Sequence, residues 1–229
     1  MQGILLVDKP KGWTSFDVVN YVRKMVAVHD GKKPKNTKVG HTGTLDPLAT
    51  GLLVLLIGKE YTRKATELTK LDKVYEVTMK LGQTSTTADD EGEKTVVSDT
   101  VPSKEAVVSA LERFTGQIMQ VPPAFSAMKI NGQRAYKLAR EGKDVALEAR
   151  PVHIYTNELS SYEYPYVEFV SAVGSGTYIR SLVEDLGKTL GTGAYMSDLR
   201  RTKIGTYELA DAVVVEGLKV EHILGSLRT

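Results

Sequence analysis

The sequence predicts an α+β fold in which a β-sheet is flanked by helices and loops. Six consecutive apolar residues, 52–57, predict a fully buried strand. Strict alternation of apolar and polar residues over 73–82 predicts a half-buried strand. Apolar residues at helical spacing predict amphipathic helices over 14–26 and 178–190. Because no repeat or linker interrupts the pattern, we predict a single domain covering residues 1–229.

Further elements complete this pattern along the chain. Residues 3–8 predict a strand, and Thr14 with Asp17 has the spacing of a helix start. Ser103 is suited to cap a helix that ends near Gly116. Residues 152–159 and 166–173 predict two more strands, and the tail predicts a strand and a final helix.

Composition excludes several classes of function. The 229 residues carry a net charge of +2 and no cysteine, which excludes disulfides, thiolate metal sites and cysteine nucleophiles. The four histidines show no metal-ligand spacing, so we expect no metal site. No apolar run approaches the ~20 residues that cross a bilayer, and the first nine residues are too short for a signal-peptide core. We expect a cytoplasmic protein without a membrane partner.

The loop before the buried strand contains a candidate catalytic acid, Asp46. Pro47 disfavours the helical region for the residue before it, so Asp46 is biased toward an extended backbone. Gly40, Gly43 and Gly51 permit unusual backbone angles or a close approach of another molecule. A carboxylate presented in this way could act as a nucleophile. Asp-Pro among glycines and threonines is also ordinary turn chemistry, and the local pattern alone leaves both interpretations open.

Two basic segments are candidates for binding a phosphate backbone. Lys32, Lys33, Lys35 and Lys38 occur with a single acid nearby, Asp30. Residues 121–142 combine Lys129 and Arg134 with the aromatic residues Phe125 and Tyr136, a mixture typical of single-stranded RNA contacts. A solvated lysine-rich loop is the commoner explanation of the first pattern, and a partly buried surface helix explains the second equally well.

Motifs of other enzyme classes fail on spacing or context. Gly187-Lys188-Thr189 lacks the earlier glycine of a P-loop and lies late in a predicted helix. Val173 occupies a position where a nucleophile elbow around Ser175 needs glycine. A carboxylate hydrolase of glycosides would need two facing acids, and the glycine-rich loop supplies one.

Several separated motifs together resemble the TruB family of tRNA pseudouridine synthases. The resemblance runs from about Gly3 to Tyr207 and rests on these segments: G-H-T-G-T-L-D-P-L-A-T-G (40–51), D-K-V-Y-E-V (72–77), L-G-Q-T-S-T-T-A-D-D-E-G (81–92), P-P-A-F-S-A-M-K-I-N-G (122–132), A-R-E-G (139–142), G-T-Y-I-R-S-L-V-E-D-L-G (176–187) and L-R-R (199–201).

The resemblance implies a fold, a reaction and a set of site residues. The fold is an α+β domain with a mixed, largely antiparallel sheet, and the reaction converts the T-loop uridine of tRNA, position 55, to pseudouridine without a cofactor. By position in the motifs, Asp46 is the catalytic acid, Tyr75 packs against the target base, and Arg180 pairs with the acid and favours its ionised form. His41 occupies the space that the flipped base leaves, and Tyr178, Leu199 and Arg63 are further substrate-binding residues.

The chain also departs from the family pattern. The family usually continues past L-R-R into a small RNA-binding domain, whereas 22 residues (208–229) follow Tyr207, so we predict no C-terminal PUA-type domain. Phe125 stands where the family commonly has tyrosine, which keeps a stacking surface and removes a hydroxyl. We expect a monomer that binds the T-arm of tRNA. The alternative function is a non-catalytic RNA-binding or tRNA-folding protein on the same scaffold.

Overall fold

A computed structural model describes residues 1–126, 128–130, 132–141 and 147–228. The helices are α1 (Ser15–His29), α2 (Lys59–Thr62), α3 (Ala65–Thr69), α4 (Lys104–Arg113), α5 (Ala135–Arg140), α6 (Ile179–Thr189) and α7 (Val220–Ser226). The strands are β1 (Gly3–Lys9), β2 (Val39–His41), β3 (Thr50–Ile57), β4 (Lys73–Leu81), β5 (Gln83–Ser85), β6 (Lys94–Val96), β7 (Gly116–Gln120), β8 (Lys129–Ile130), β9 (Gln133–Arg134), β10 (Arg150–Glu163), β11 (Tyr166–Val173), β12 (Ala194–Ile204), β13 (Tyr207–Glu208) and β14 (Val213–Val214). These elements form two compact units, Met1–Tyr75 with Leu199–Thr229 and Glu76–Asp198.

The first unit is built around β3, which is buried along almost its whole length. The strand order is β14-β1-β3-β12, in which β1 is antiparallel to β3 and β12 is parallel to it. The far edge of β3 is shared, because β2 pairs with its end and β12 with its beginning. The loop over residues 42–49, which contains Asp46, connects β2 to β3 beside this shared edge.

Side chains on the two faces of β3 belong to two separate hydrophobic clusters. Leu53, Leu55 and Ile57 pack with the buried valines of α1, which are Val18, Val19, Val22 and Val26. Leu52, Val54 and Leu56 pack with Tyr61 and Ile204. Burial on both faces explains why the sequence of this strand is continuously apolar. The predicted buried strand is confirmed, and so is the start of α1, where Thr14 and Asp17 form a capping box.

The second unit contains the strand order β4-β11-β10-β7. β10 is antiparallel to both β11 and β7. α4, which Ser103 caps as predicted, buries Val107, Ala110 and Leu111. The amide of Asn157 on β10 donates to the carbonyls of Leu111 (3.2 Å) and Phe114 (3.3 Å), which satisfies acceptors at the end of that helix. α6 buries Leu182, Val183 and Leu186 on one side.

The predicted fold class is confirmed: helices flank a mixed sheet in which most strand pairs are antiparallel. Between β3 and β4 the chain forms two short helices, α2 and α3. Among the described residues, no helix has the length and apolarity that crossing a membrane requires.

Candidate active site

The loop that contains Asp46 is held in place immediately before the acid. Ser15, which is buried at the start of α1, makes two hydrogen bonds with the backbone of Leu45. Its hydroxyl accepts from the Leu45 N–H at 2.8 Å and donates to the Leu45 carbonyl at 3.0 Å. One buried hydroxyl therefore satisfies both backbone polar groups of the residue before Asp46.

The backbone immediately after Asp46 is held by β1 and the turn that follows it. The carbonyl of Pro47 accepts from the Gly12 N–H at 2.8 Å and from the Lys9 ammonium at 3.3 Å. Lys9 is fully buried, and its ammonium also donates to the carbonyls of Pro10 (2.9 Å) and Trp13 (2.6 Å). The burial of Lys9 was not predicted from the sequence. Asp46, itself half-buried, thus lies between two anchored neighbours.

His41 lies at the other end of this loop, on β2, and is half-buried. Burial lowers the pKa of its imidazole below the usual 6.5, and the positive charge of Arg201 lowers this pKa further, against the opposing effect of a hydrogen bond with the Gly43 backbone. The ring is therefore neutral at physiological pH.

Arg201 is the side chain that ties the two ends of the loop together. It is 1% exposed, although it lies in a basic stretch of the sequence with Arg200 and Lys203. Its Nε donates to the Leu52 carbonyl at 2.8 Å and its Nη2 to the Gly43 carbonyl at 3.1 Å. This role was not predicted, since a buried arginine inside a basic run looks the same in sequence as an exposed one.

Arg201 limits which side chain fits at Gly51 and lowers the pKa of Lys73. Gly51 has φ +98, and a Cβ there would lie 2.3 Å from the Arg201 carbonyl oxygen, so only glycine fits. Burial and the charge of Arg201 lower the pKa of Lys73 to about 8. The Lys73 ammonium donates to the carbonyls of Thr69 (3.1 Å) and Leu71 (2.5 Å).

The other predicted residues of the first unit are Tyr75, Leu199 and Arg63. Tyr75 on β4 and Leu199 on β12 are each 7% exposed. The two strands are neighbours, and the Thr202 hydroxyl contacts the Val74 carbonyl at 3.4 Å. Arg63, just after α2, is exposed. The unit therefore contains His41, Asp46, Tyr75, Leu199 and Arg63.

Arg180 and Tyr178 belong to the second unit, at the start of α6. The Arg180 side chain is 8% exposed and is therefore buried. Its Nη1 lies 3.3 Å from Oδ2 of Asp89 and 3.2 Å from the Thr87 carbonyl, and its Nη2 donates to the Phe125 carbonyl at 2.8 Å. Asp89 was not among the predicted site residues.

Asp89 is held by its own hydrogen bonds. Its Oδ1 accepts from the Thr87 hydroxyl at 2.5 Å and from the Glu91 N–H at 3.1 Å. With a side chain only 4% exposed, it forms a buried, hydrogen-bonded ion pair with Arg180. In the sequence, Asp89 and Arg180 lie in two of the separated motifs, residues 81–92 and 176–187, but no pattern indicated that they pair.

The predicted RNA-binding lysines lie around a 3-10 helix, Pro34–Asn36. Lys32, Lys33, Lys35 and Lys38 are all exposed. Lys32 lies 3.3 Å from the Asp30 carboxylate. The side chains of the other two predicted residues, Lys129 and Arg134, lie outside the described part of the structure. No cluster of metal-ligating side chains occurs within the described residues.

Two family models together match most of the chain. A model of the TruB family pseudouridylate synthase (N terminal domain) matches residues 31–179. A model of the tRNA pseudouridylate synthase B C-terminal domain matches residues 180–225. The second match begins in α6 and so includes residues from both compact units, and the organisation as a single domain stays a prediction.

Curated proteins are similar over nearly the whole chain. The tRNA pseudouridine synthase B of Chlamydia pneumoniae is 41% identical over 221 residues, which are 96% of this chain and 89% of that protein. The protein of the same name from Pseudomonas aeruginosa is 44% identical over 225 residues, 98% of this chain and 71% of that protein.

Solved structures share the fold. A crystal structure of a Cbf5-Nop10-Gar1 complex has a TM-score of 0.73 and 28% identity, over 99% of this chain and 59% of that chain. The structure of an H/ACA RNP bound to a substrate RNA containing 2'-deoxyuridine has a TM-score of 0.68 and 26% identity, over 96% of this chain and 57% of that chain. This chain thus spans less than two thirds of either one.

The fold and the sequence matches define a pseudouridylate synthase. More specifically, the chain belongs to the TruB family, which confirms the resemblance indicated by its motifs.

Proposed function

We propose that this protein is a tRNA pseudouridine synthase that isomerises uridine 55 in the T-arm of tRNA. Similarity to curated proteins named tRNA pseudouridine synthase B, over at least 96% of this chain, supports the reaction and the class of substrate. The structural observation that carries the proposal is the position of Asp46, whose backbone neighbours are anchored by Ser15 on one side and by Lys9 and Gly12 on the other.

The proposed reaction is an isomerisation that needs one carboxylate. The N1–C1′ bond of the uridine breaks and a C5–C1′ bond forms, after which C5 loses its proton and N1 gains one. Atoms and electrons balance without an oxidant or a second substrate. Asp46 is our candidate for the carboxylate that acts on the nucleotide, because an anchored acid can be aimed at a reacting atom at little entropic cost.

The other site residues have roles that follow from base flipping. A stacked uridine must leave the RNA stack before it can react, and an aromatic group can replace it. Neutral His41 is our candidate for that group, Tyr75 for the residue packed on the flipped base, and Arg180 for a second charged residue of the reaction. We assign substrate binding to Tyr178, Leu199 and Arg63.

Binding of the T-arm is assigned to exposed basic side chains. Lys32, Lys33, Lys35 and Lys38 form an exposed basic segment that phosphates can reach. Lys129 and Arg134 remain predicted RNA contacts on sequence grounds. We further propose that the enzyme works as a monomer in the cytoplasm.

The decisive experiment compares wild type with Asp46→Asn. Each protein is incubated with T-arm RNA, and pseudouridine is mapped by chemical modification and primer extension. We expect conversion at position 55 by wild type and none by Asp46→Asn, while Asp99→Asn, a change at an exposed acid, converts normally. Conversion by Asp46→Asn would refute the role of the acid. RNA binding by wild type without conversion would favour a non-catalytic RNA-binding protein.

A further inference from the structure

The start of α6 is attached to the ends of two strands by a single side-chain amide. Gln120 ends β7, pairs in register with Arg150 on β10, and is 1% exposed. Its Oε1 accepts from the Tyr178 N–H at 2.8 Å, and its Nε2 donates to the Tyr178 carbonyl at 3.1 Å. Gln120 thus satisfies both backbone polar groups of Tyr178, because its amide oxygen accepts while its amide nitrogen donates.

Tyr178 needs such an external partner because it occupies the N-cap position of α6. Its backbone is extended, with φ −103 and ψ 114, and its own side chain makes no capping hydrogen bond. Residues at this position usually fix the helix start with a short polar side chain. Gln120 instead fixes the position of Tyr178 from a strand that lies 58 residues earlier in the chain.

The strand partner of Gln120 contacts the aromatic ring of the same tyrosine. The guanidinium carbon of Arg150 lies 5.2 Å from the centre of the Tyr178 ring, a cation–π distance. Nη2 of Arg150 also donates to the Gly176 carbonyl at 3.0 Å. Backbone and ring of Tyr178 are therefore held by two side chains that face each other across β7 and β10.

The contact continues along the first turn of α6. The Ser181 hydroxyl donates to the Val121 carbonyl at 2.8 Å, and Arg180 donates to the Phe125 carbonyl at 2.8 Å. Two residues of the segment after Gln120 thus accept hydrogen bonds from the first turn of α6. A shift of Tyr178 would also disturb Arg180, two residues further on.

We propose that Gln120 and Arg150 are positioning residues of the synthase reaction: Gln120 sets the backbone position of Tyr178, and Arg150 sets the orientation of its ring. This inference rests on the proposed function, in which Tyr178 binds the substrate. Both residues act through Tyr178.

Gln120→Glu separates positioning from a purely structural role. An ionised carboxylate accepts from the Tyr178 N–H but repels the Tyr178 carbonyl, whereas a protonated acid can donate to it. Burial raises the pKa of a carboxyl group, so the protonated form becomes accessible near neutral pH. We expect kcat/KM to be about 10-fold to 100-fold below wild type at pH 8, with the deficit shrinking as the pH falls toward 6.

Matched variants complete the test. Gln117→Glu, on an exposed residue of the same strand, should follow wild type at every pH. Arg150→Met and Arg150→Lys should both lower kcat/KM, because lysine keeps the charge but loses the planar guanidinium. Exchange of the Tyr178 amide hydrogen, measured by NMR, should accelerate in Gln120→Leu, an outcome independent of activity.

Each result bears on one part of the inference. A deficit of Gln120→Glu that is equal at all pH values would overturn the positioning role of Gln120. Unchanged kcat/KM in Arg150→Met would overturn the role of Arg150. An inactive wild type would refute the proposed function instead, and the exchange of the Tyr178 amide would still report whether Gln120 holds it.

Discussion

Arg201 in the first unit and Arg180 in the second are both buried, but they are stabilised in different ways. Arg180 faces a carboxylate, Asp89, that is itself hydrogen-bonded. Arg201 donates to the carbonyls of Leu52 and Gly43, and within the described residues no carboxylate pairs with it. Arg180 is thus electrically neutralised, whereas Arg201 remains a net positive charge beside the loop of Asp46.

This difference has consequences for neighbouring groups. The uncompensated charge of Arg201 contributes to lowering the pKa values of His41 and Lys73. It therefore favours a neutral His41, which suits stacking, while its hydrogen bonds hold the loop. An ion pair at the same place could hold the loop but would not exert this electrostatic effect. Arg201 can thus combine a structural and an electrostatic role.

We expect the largest loss of stability when Arg180 loses its carboxylate partner, Asp89. Asp89→Ala leaves the charge of Arg180 buried without this carboxylate, which should lower the free energy of unfolding by about 3 to 5 kcal/mol. Urea unfolding followed by the fluorescence of Trp13 measures this change. Asp90→Ala, at the exposed next residue, is the control and should change stability by less than about 1 kcal/mol. Equal losses in both variants would show that the Asp89–Arg180 pair is not critical.

Removal of Arg201 should have a smaller effect. Arg201→Met leaves the Leu52 and Gly43 carbonyls without their donor, at about 1 to 3 kcal/mol for each unsatisfied group. It also removes the desolvation cost of a buried charge, so we expect a net loss of about 1 to 3 kcal/mol together with reduced conversion of T-arm RNA. The control is Arg200→Met, since Arg200 is part-exposed and bound to Asp8 at 2.8 Å. A loss of stability larger than that of Asp89→Ala would show that the hydrogen bonds of Arg201 matter more than the Asp89–Arg180 ion pair.

Much of the fold was predictable from local pattern. The continuous apolar run of β3, the alternation of β4 and the stripe of α6 each reflect burial by nearby elements, and such burial imposes a period on the sequence. The extent of β10, which runs from Arg150 to Glu163, was underestimated, because its outer half alternates poorly and is largely exposed.

The supporting residues of the site were not predictable from pattern. Lys9, Asp89, Gln120 and Arg201 are buried polar residues, and each has at least one hydrogen-bonding partner far along the chain. Periodicity carries no information about such partners. The motifs identified Asp46 and Arg180 by resemblance, whereas the groups that hold them became visible only in three dimensions.

In contrast to the two buried arginines, the lysines of the basic segment are exposed to solvent. We expect changes to them to have a smaller effect, on RNA binding. Lys33, Lys35 and Lys38 are exposed, and no ion pair involves them among the described residues. Changing all three to Gln should weaken T-arm binding and flatten its dependence on salt by about 0.7 to 0.9 in slope for each phosphate that is no longer neutralised. Filter binding over a range of salt concentrations measures this slope. Lys104→Gln is a control at an exposed lysine, and an unchanged slope would exclude the segment from the RNA interface.

Lys32→Gln should have less effect than a change at Lys33. Its ammonium already lies 3.3 Å from Asp30, so its charge is partly compensated before RNA arrives. If Lys32→Gln alone reproduced the weaker binding of the triple variant, the pairing with Asp30 would not persist in the complex.

The smallest expected effect is a shift in the titration of His41. Because the pKa of His41 is below 6.5 in the folded protein, the unfolded chain takes up a proton first as the pH falls. The contribution of this group to stability is complete above pH 6.5 and is lost as the pH falls through the folded pKa. NMR titration of the ring should give a midpoint below 6.5, and Arg201→Met should raise that midpoint. Arg200→Met should leave it closer to the wild-type value, because Arg200 is compensated by Asp8. A midpoint that does not respond to Arg201→Met would assign the whole shift to burial and limit Arg201 to holding the loop.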